Sequence, residues 1–347
     1  MRSVNGRLFA WILGLGPGAR YNLTSSGLSE PDLSAMGIDT SFDRFAAEKD
    51  EHARLLAETV AELYRVEPDN VVITNGASEA IFMVYSVFGA DRRAFVPLPN
   101  YEPMFSVPRS LGMHVNNSLA MASASGGAVC GLTDPNNPTG RSLDEGMIER
   151  LIESSRKETT IFVNETYKEF TFPDAPETYF GRDGNVVTCS TMTKFYGLGR
   201  LRVGWILADK QKARQLLRAK WLVSGHDAEY SMWISTQALR RRTEFAKKAR
   251  KICSENAELT RKFVEATPSV SVRGLGPAPF CLVEYGKGPD SVSLSKKLLE
   301  RTGVLVSPGD FFGAPMAFRL CFTCDKRRLG LGLRRLSDFL DTQLRSL

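Results

Sequence analysis

The sequence predicts an α/β protein, with a mainly parallel central sheet sandwiched by helices and a second, smaller α+β domain. Three observations lead there. Short apolar runs alternate with helix-period segments for most of the length, the pattern of a parallel sheet covered on both faces. From about residue 209 this alternation gives way to long charged helices and then to a few strand-like pieces. At 347 residues the chain also exceeds the size at which one hydrophobic core usually stops growing. The expected domains are 40–225 for the larger and 1–39 plus 226–347 for the smaller. The N-terminal arm is assigned to the smaller because the alternation starts only near residue 45.

Each element follows from its local pattern. "RLLAETVAELYRV" repeats its apolar residues at helical spacing. "NVVITNGASEAIFMVYSVFG" reads as strand, tight glycine turn and helix, and "RAFVPLP" as another short strand. "GAVCGLTDPNNPTG" is a strand entering a turn-rich loop. "EGMIERLIESSR" is an amphipathic helix, "TTIFVNE" a buried strand, and "NVVTCSTMTK" a strand ending on polar residues. "VGWILAD" adds a further apolar run. Beyond the charged helices come "FCLVEYG", "GVLVSPG" and "AFRLCFT", then a closing helix, "RLGLGLRRLSDFLDTQL".

Composition narrows the function classes. The hydrophobic fraction of 43% and charged fraction of 24% are those of an ordinary globular chain, not a disordered one. The net charge of +6 falls partly in "QKARQLLRAK" and "ALRRRTEFAKKARK". No aromatic-interleaved basic run or DNA-binding motif accompanies it, so a solvated helix face is expected and no nucleic-acid partner. His52, His114 and His226 are too isolated to suggest a metal site or triad. Cys321 and Cys324 form a lone CxxC in an apolar run, read as buried thiols in a reducing compartment rather than a zinc site. No segment approaches the length of a membrane span. Arg2 and Arg7 precede a short apolar run without a small-residue cleavage site, so a packed arm in a cytoplasmic protein is expected.

"STMTKFYGLGRLRVGW", residues 190–205, carries the most chemistry. A strand ends in hydroxyl residues, followed by Lys194 and a glycine-rich turn with Arg200 and Arg202. A lysine held near a phosphate-binding cluster suits a Schiff base to a phosphorylated aldehyde cofactor. Thr191 and Thr193 can hydrogen-bond phosphate oxygens, and an arginine fork can neutralise them.

Beside it in the same chain stand "DPNNPTG", "NETY", "TNGASEA", "PNYEP" and "GVLVSPGDFFG…FRLCF". Together these motifs resemble the fold-type-I pyridoxal-phosphate aminotransferases, the aspartate and histidinol-phosphate aminotransferase superfamily, from about residue 22 onward. The resemblance implies pyridoxal 5′-phosphate as cofactor, amino-acid and 2-oxo-acid substrates, and a homodimer. It makes Lys194 the Schiff-base lysine and proton shuttle, and assigns the phosphate to Arg202, Thr191 and the Gly76-Ala77-Ser78 turn at a helix N-terminus. It places Tyr101 on the pyridine ring, Asn137 and Tyr167 at the ring's phenolic oxygen, and Arg319, again with Asn137, on the substrate α-carboxylate. Gly27 falls in the segment that closes over the substrate. A lone arginine in an apolar strand also calls for a fixed anionic partner. The partner-subunit tyrosine of the family has no match. Phe42 or Phe45 lies in that region and lacks the hydroxyl. Arg20 and Arg44 are the candidates for a second substrate-binding cation.

Asn164 is the larger departure. The resembling family has an aspartate there, which keeps the pyridine nitrogen protonated. An amide instead donates a neutral hydrogen bond, roughly half as strong as a charge-assisted one. Glu165 does not substitute, since neighbouring strand residues point to opposite faces. The leading expectation is a pyridoxal-phosphate-dependent aminotransferase acting on a small α-amino acid and a 2-oxo acid. A decarboxylase or β-lyase of the same fold, and a catalytically weakened relative that binds the cofactor, are the alternatives.

Overall fold

The computed structural model describes residues 6–49, 51–90, 92–121, 128–155 and 158–344; Arg2, noted in the N-terminal arm, lies outside them. The strands are β1 Tyr21–Asn22, β2 Val71–Thr74, β3 Arg93–Phe95, β4 His114–Asn116, β5 Val129–Thr133, β6 Thr160–Asn164, β7 Val186–Thr191, β8 Gly204–Leu207, β9 Ser271–Val272, β10 Phe280–Glu284, β11 Val304–Leu305, β12 Ser307–Pro308 and β13 Ala317–Cys321. One sheet runs β2-β8-β7-β6-β5-β3-β4. Its strands from β7 through β4 pair in parallel. β8 alone is antiparallel to both of its neighbours.

Side-chain alternation gives this sheet two apolar faces. Phe162 of β6 and Ile206 of β8 pack under the helix Gly76–Phe88, alongside Val84 and Tyr85. Ile161 and Val163 face the other way, against Ile148 and Leu151 of the helix Met147–Ser154. Trp205 and Leu207 share that second side with Leu56, Val60 and Tyr64 of the helix His52–Tyr64.

The helix Glu229–Arg240 and the start of Arg242–Glu265 add Met232, Trp233, Leu239 and Phe245 to the same cluster. These residues follow position 225 in sequence yet pack on the larger sheet. A second sheet, β12-β13-β10-β9, is antiparallel throughout. Its core is Val283, Phe318 and Leu320, with Leu333 and Leu336 of the closing helix. In the arm, β1 pairs in parallel with β11.

The arm also forms a helix, Arg7–Leu15, that its sequence gave little sign of. Leu8 and Trp11 bury against Leu305, Phe311 and Phe312. The helix has no side-chain cap of its own. The carboxylate of Glu102 instead accepts from the backbone N–H groups of Arg7 (3.0 Å) and Leu8 (2.8 Å), satisfying two of the orphan donors at a helix start. Trp11 donates its indole N–H to the Val306 carbonyl at 2.9 Å, and Arg7 pairs with Asp310.

Among the described residues no helix is long and apolar enough to cross a membrane, and no group of acidic, histidine or cysteine side chains could hold a metal. Cys321 is buried as expected, whereas Cys324, past the end of β13, is only half-buried.

Candidate active site

The parallel strands all deliver their ends to one edge of the sheet, where a cavity opens. Tyr101, Asn137, Asn164, Tyr167, Thr191, Lys194, Arg202 and Arg319 line it, together with Ala77 and Ser78. Thus most of the residues singled out from sequence meet around one space. Gly27 and Gly76 sit just behind its wall.

Lys194 and Arg202 belong to one tight loop between β7 and β8. The loop is closed by backbone bonds from Met192 to Val203 (3.0 Å) and from Leu198 to Met192 (3.0 Å). Among the described residues the Lys194 ammonium has no hydrogen-bond or ion-pair partner. Burial, then the nearby Arg319 and Arg202, lower its pKa from 10.5 to about 8. Arg202 turns its guanidinium to the carbonyls of Gly199 (3.1 Å) and Asn75 (3.3 Å), directly over Gly76. A Cβ at Gly76 would meet the Arg202 Nη2 at 2.7 Å, and φ there is +76°; glycine is the residue that tolerates both. The N-terminus of the helix Gly76–Phe88 and the arginine are thereby held together, an arrangement suited to a phosphate.

The Thr191 hydroxyl points elsewhere than expected. It donates to the Val203 carbonyl at 2.8 Å and shares a bond with the Thr193 hydroxyl at 2.9 Å. Thr193 also lines the cavity. Tyr101 starts the helix Glu102–Ser110, and burial raises its phenol's pKa well above the ordinary value.

β6 ends in Asn164, on the face shared with Phe162. Its Oδ1 accepts from the backbone N–H (3.1 Å) and the hydroxyl (2.6 Å) of Thr166. A backbone N–H can only donate, so the oxygen is fixed on that side and the amide nitrogen is left toward the cavity. Among the described residues its one partner is the Met104 thioether, 4.0 Å away. Glu165 points to the opposite face, as alternation requires. There it accepts from the Tyr179 backbone N–H (2.7 Å) and the Thr178 hydroxyl (2.8 Å), and burial lifts its pKa to about 7.

Tyr167 follows, its hydroxyl donating to Ser26 Oγ at 2.8 Å and its ring edge-on to Phe280 at 4.7 Å. Burial pushes its pKa up to about 12, against the opposing pull of Arg319. The next two residues anchor it. Lys168 pairs with the buried Asp134 at 2.7 Å, and Glu169 with the buried Arg242 at 2.7 Å.

Arg319 is 1% exposed and forms no ion pair with a carboxylate among the described residues. It donates to Asn137 Oδ1 (2.8 Å), the Thr24 carbonyl (3.0 Å) and Ser307 Oγ (3.4 Å). Its guanidinium lies against the rings of Phe312 (4.9 Å) and Phe280 (5.5 Å). Neutral dipoles and aromatic faces hold the cation in place of a carboxylate. Among the described residues no carboxylate pairs with it, which leaves an unneutralised charge beside the cavity it lines.

The arm segment 24–28 ties these parts together. Thr24 accepts from Arg319, Ser26 accepts from Tyr167, and the Leu28 N–H donates to the Lys194 carbonyl at 2.9 Å. Gly27 does not line the cavity. A Cβ there would sit 3.0 Å from Lys194 Cα and 3.1 Å from its Cδ, so glycine lets the arm lie flat on the lysine stem. Sequence reasoning missed Ser26, Thr133, Thr166 and three arm residues, Leu8, Phe9 and Ile12, all of which line the cavity. Phe42 and Phe45 do not reach it. They cluster with Tyr230, and Phe42 is largely exposed.

Pyridoxal 5′-phosphate fits these residues on its own chemistry. It offers a phosphate for Arg202 and the helix N-terminus, an aldehyde for the unpaired Lys194, and a ring nitrogen para to that aldehyde. That ring nitrogen would suit a donor such as the Asn164 amide, which lines the same cavity as Lys194.

Comparison with known proteins agrees. The model of the family described as aminotransferase class I and II matches residues 46–336. A histidinol-phosphate aminotransferase of Carboxydothermus hydrogenoformans is 27% identical over 302 residues, covering 80% of this chain and 79% of that protein. An aspartate aminotransferase of Pyrococcus horikoshii is 23% identical, covering 82% and 81%. Among solved structures, a PLP-dependent aminotransferase from Streptococcus suis superposes with a TM-score of 0.86 at 22% identity, covering 97% of each chain. The PLP-dependent cyclase OrfR superposes at 0.84 with 22% identity, covering 99% of this chain and 98% of its own.

Proposed function

The chain belongs to the class I and II aminotransferase family, and from that premise we propose that Lys194, Arg319 and Asn164 divide the work of moving an amino group between a small α-amino acid and a 2-oxo acid. Pyridoxal 5′-phosphate, when bound, supplies an aldehyde that captures the amino group and a ring that draws electrons from Cα. Arg202, the Gly76-Ala77-Ser78 turn and Thr193 hold its phosphate, with Thr191 bracing Thr193. Tyr101 would pack on the ring, and Tyr167 and Asn137, which line the same cavity, would serve the phenolic oxygen.

The buried Arg319 guanidinium, lining the cavity beside Lys194 and held by neutral groups, is the observation that carries the reading. A substrate α-carboxylate would supply the missing charge, and Asn137 is already bonded to the same guanidinium. Lys194 takes the proton from Cα. Carboxylate binding at Arg319 removes part of the repulsion that depresses the lysine's pKa, so Lys194 becomes a stronger base as substrate arrives. Incubating the cofactor-loaded protein with one amino acid should give a stoichiometric 2-oxo acid and the aminated cofactor. Release of an amine, or of ammonia with pyruvate, would establish the decarboxylase or β-lyase reading instead. That second reading is favoured by Asn164, which leaves the ring nitrogen without a carboxylate.

Asn164→Asp tests this placement. A carboxylate at the same position protonates the ring nitrogen and strengthens the electron sink, with each pKa unit gained worth about 1.4 kcal/mol. The half-reaction should accelerate by about tenfold or more, and the bound cofactor's ring-nitrogen NMR signal should move to its protonated range. No change in either would place the ring nitrogen elsewhere.

In this reading the cofactor-holding part includes the helix Glu229–Arg240, which shares the larger sheet's core, and its boundary falls later than residue 225. The homodimer is supported by the exposed apolar surface of Trp221 (60%), Leu222 (90%) and Val223 (54%), more than an isolated surface helix ordinarily shows. Sedimentation as a monomer would refute it. Six unpaired cysteines support a reducing compartment, the cytoplasm.

A further inference from the structure

The cavity contains more than the cofactor and carboxylate groups need. Leu8, Phe9 and Ile12 of the helix Arg7–Leu15 form one side of it. That helix is fixed by the Glu102 carboxylate at its N-terminus, by Trp11 on the Val306 carbonyl and by Arg7 on Asp310. Phe9 is therefore held at the cavity lining while 45% of its surface stays exposed, a large apolar ring left partly uncovered.

Charge points the same way. Among the described residues the cavity lining carries three cations, Lys194, Arg202 and Arg319, and no carboxylate. Each cation already has a task under the function proposed above. Aspartate, the compound for which one of the two relatives is named, carries a second carboxylate beside its α-carboxylate. Arg44, one cation the sequence offered for such a group, is exposed and paired with Asp39 at 2.9 Å. Arg20, the other, lies over the Tyr21 ring. Neither lines the cavity.

We infer that the substrate's side chain is apolar, aromatic or branched aliphatic, and that it packs on Phe9, Leu8 and Ile12. Phe9 is the residue that sets the preference. The inference rests on the aminotransferase reading, and burial of apolar surface supplies the discrimination, with one methylene worth roughly 10-fold or more in specificity.

The test is the single-turnover half-reaction of the cofactor-loaded protein with phenylalanine, leucine, alanine, aspartate and O-phosphoserine. Phenylalanine or leucine should exceed alanine, aspartate and phosphoserine in kcat/KM by about tenfold or more. Phe9→Ala should shrink the phenylalanine-to-alanine ratio by about tenfold, and Ile12→Ala should shrink the leucine-to-alanine ratio, so that a misfolded variant at one position does not end the test. A preference for aspartate or phosphoserine overturns the inference and leaves the aminotransferase reading standing. Unchanged ratios in both variants also overturn it. If none of the five reacts although the cofactor binds, the aminotransferase reading falls, and this inference with it.

Discussion

Replacing Lys194 with alanine is expected to slow conversion of an amino acid to its 2-oxo acid by at least about 10³-fold, the scale of a lost acid–base group. Fold and cofactor phosphate binding should survive, because Lys194 makes no side-chain hydrogen bond or ion pair among the described residues, while Arg202 and the helix N-terminus remain. A soluble primary amine should restore part of the rate, which a merely structural lysine would not permit. The wild-type protein has a matching pH signature. Its lysine pKa lies near 8 instead of 10.5, and only the neutral amine captures an aldehyde. Capture by the cofactor-free protein should therefore rise as pH increases through about 8. At pH 8 an unshifted lysine would be neutral in roughly one molecule in three hundred, against about half here. A midpoint near 10.5 would show that burial and the two arginines leave the amine unchanged.

Arg319→Lys should reduce kcat/KM for α-amino acids by roughly 30-fold to several thousandfold, the equivalent of about 2–5 kcal/mol for a buried charge pair. Lysine keeps the charge and loses the planar fork that reaches Asn137 and Thr24. The discriminating comparison is an amine lacking the carboxylate. Its slower reaction should respond little to the substitution. Equal losses for both substrates would mean that Arg319 organises Asn137 and the arm rather than gripping a carboxylate.

The loop carrying Lys194 and Arg202 could be read from sequence because chain connectivity sets its geometry. Lys194 and Arg202 lie in one loop, so their spacing along the chain brings them together. Asn164 and Glu165 could be assigned to opposite faces by strand alternation alone, and the hydrogen bonds of Glu165 to Thr178 and Tyr179 agree. The contact between Arg319 and Asn137 spans 182 residues. Local pattern gives no access to it, and motif resemblance carried that assignment. Burial of the Arg319 charge calls for compensation, and within the described residues dipoles and aromatic faces supply it.

Other features left little trace in the chain. The run "RLFAWILGL" carries no catalytic residue type, and the cap of its helix comes from Glu102, more than ninety residues away. Nothing local reveals that it covers an active site. β8 reads as an apolar run whichever way it points, so its antiparallel direction is a property of the assembled sheet. Gly27 was recognisable as a glycine in the closing segment, yet its reason is the Lys194 stem beneath it, a contact made only in the fold.

The clamp on Asn164 has a consequence for descent. Both Thr166 donors end on Oδ1, an oxygen that asparagine and aspartate share. Exchange at this position alters one terminal group and leaves the backbone, the packing and the clamp as they are. Asparagine and aspartate codons differ only in their first base. Under the function proposed above, the electronic character of the site therefore lies a single mutational step from that of an aspartate-bearing site, with the same clamp and backbone.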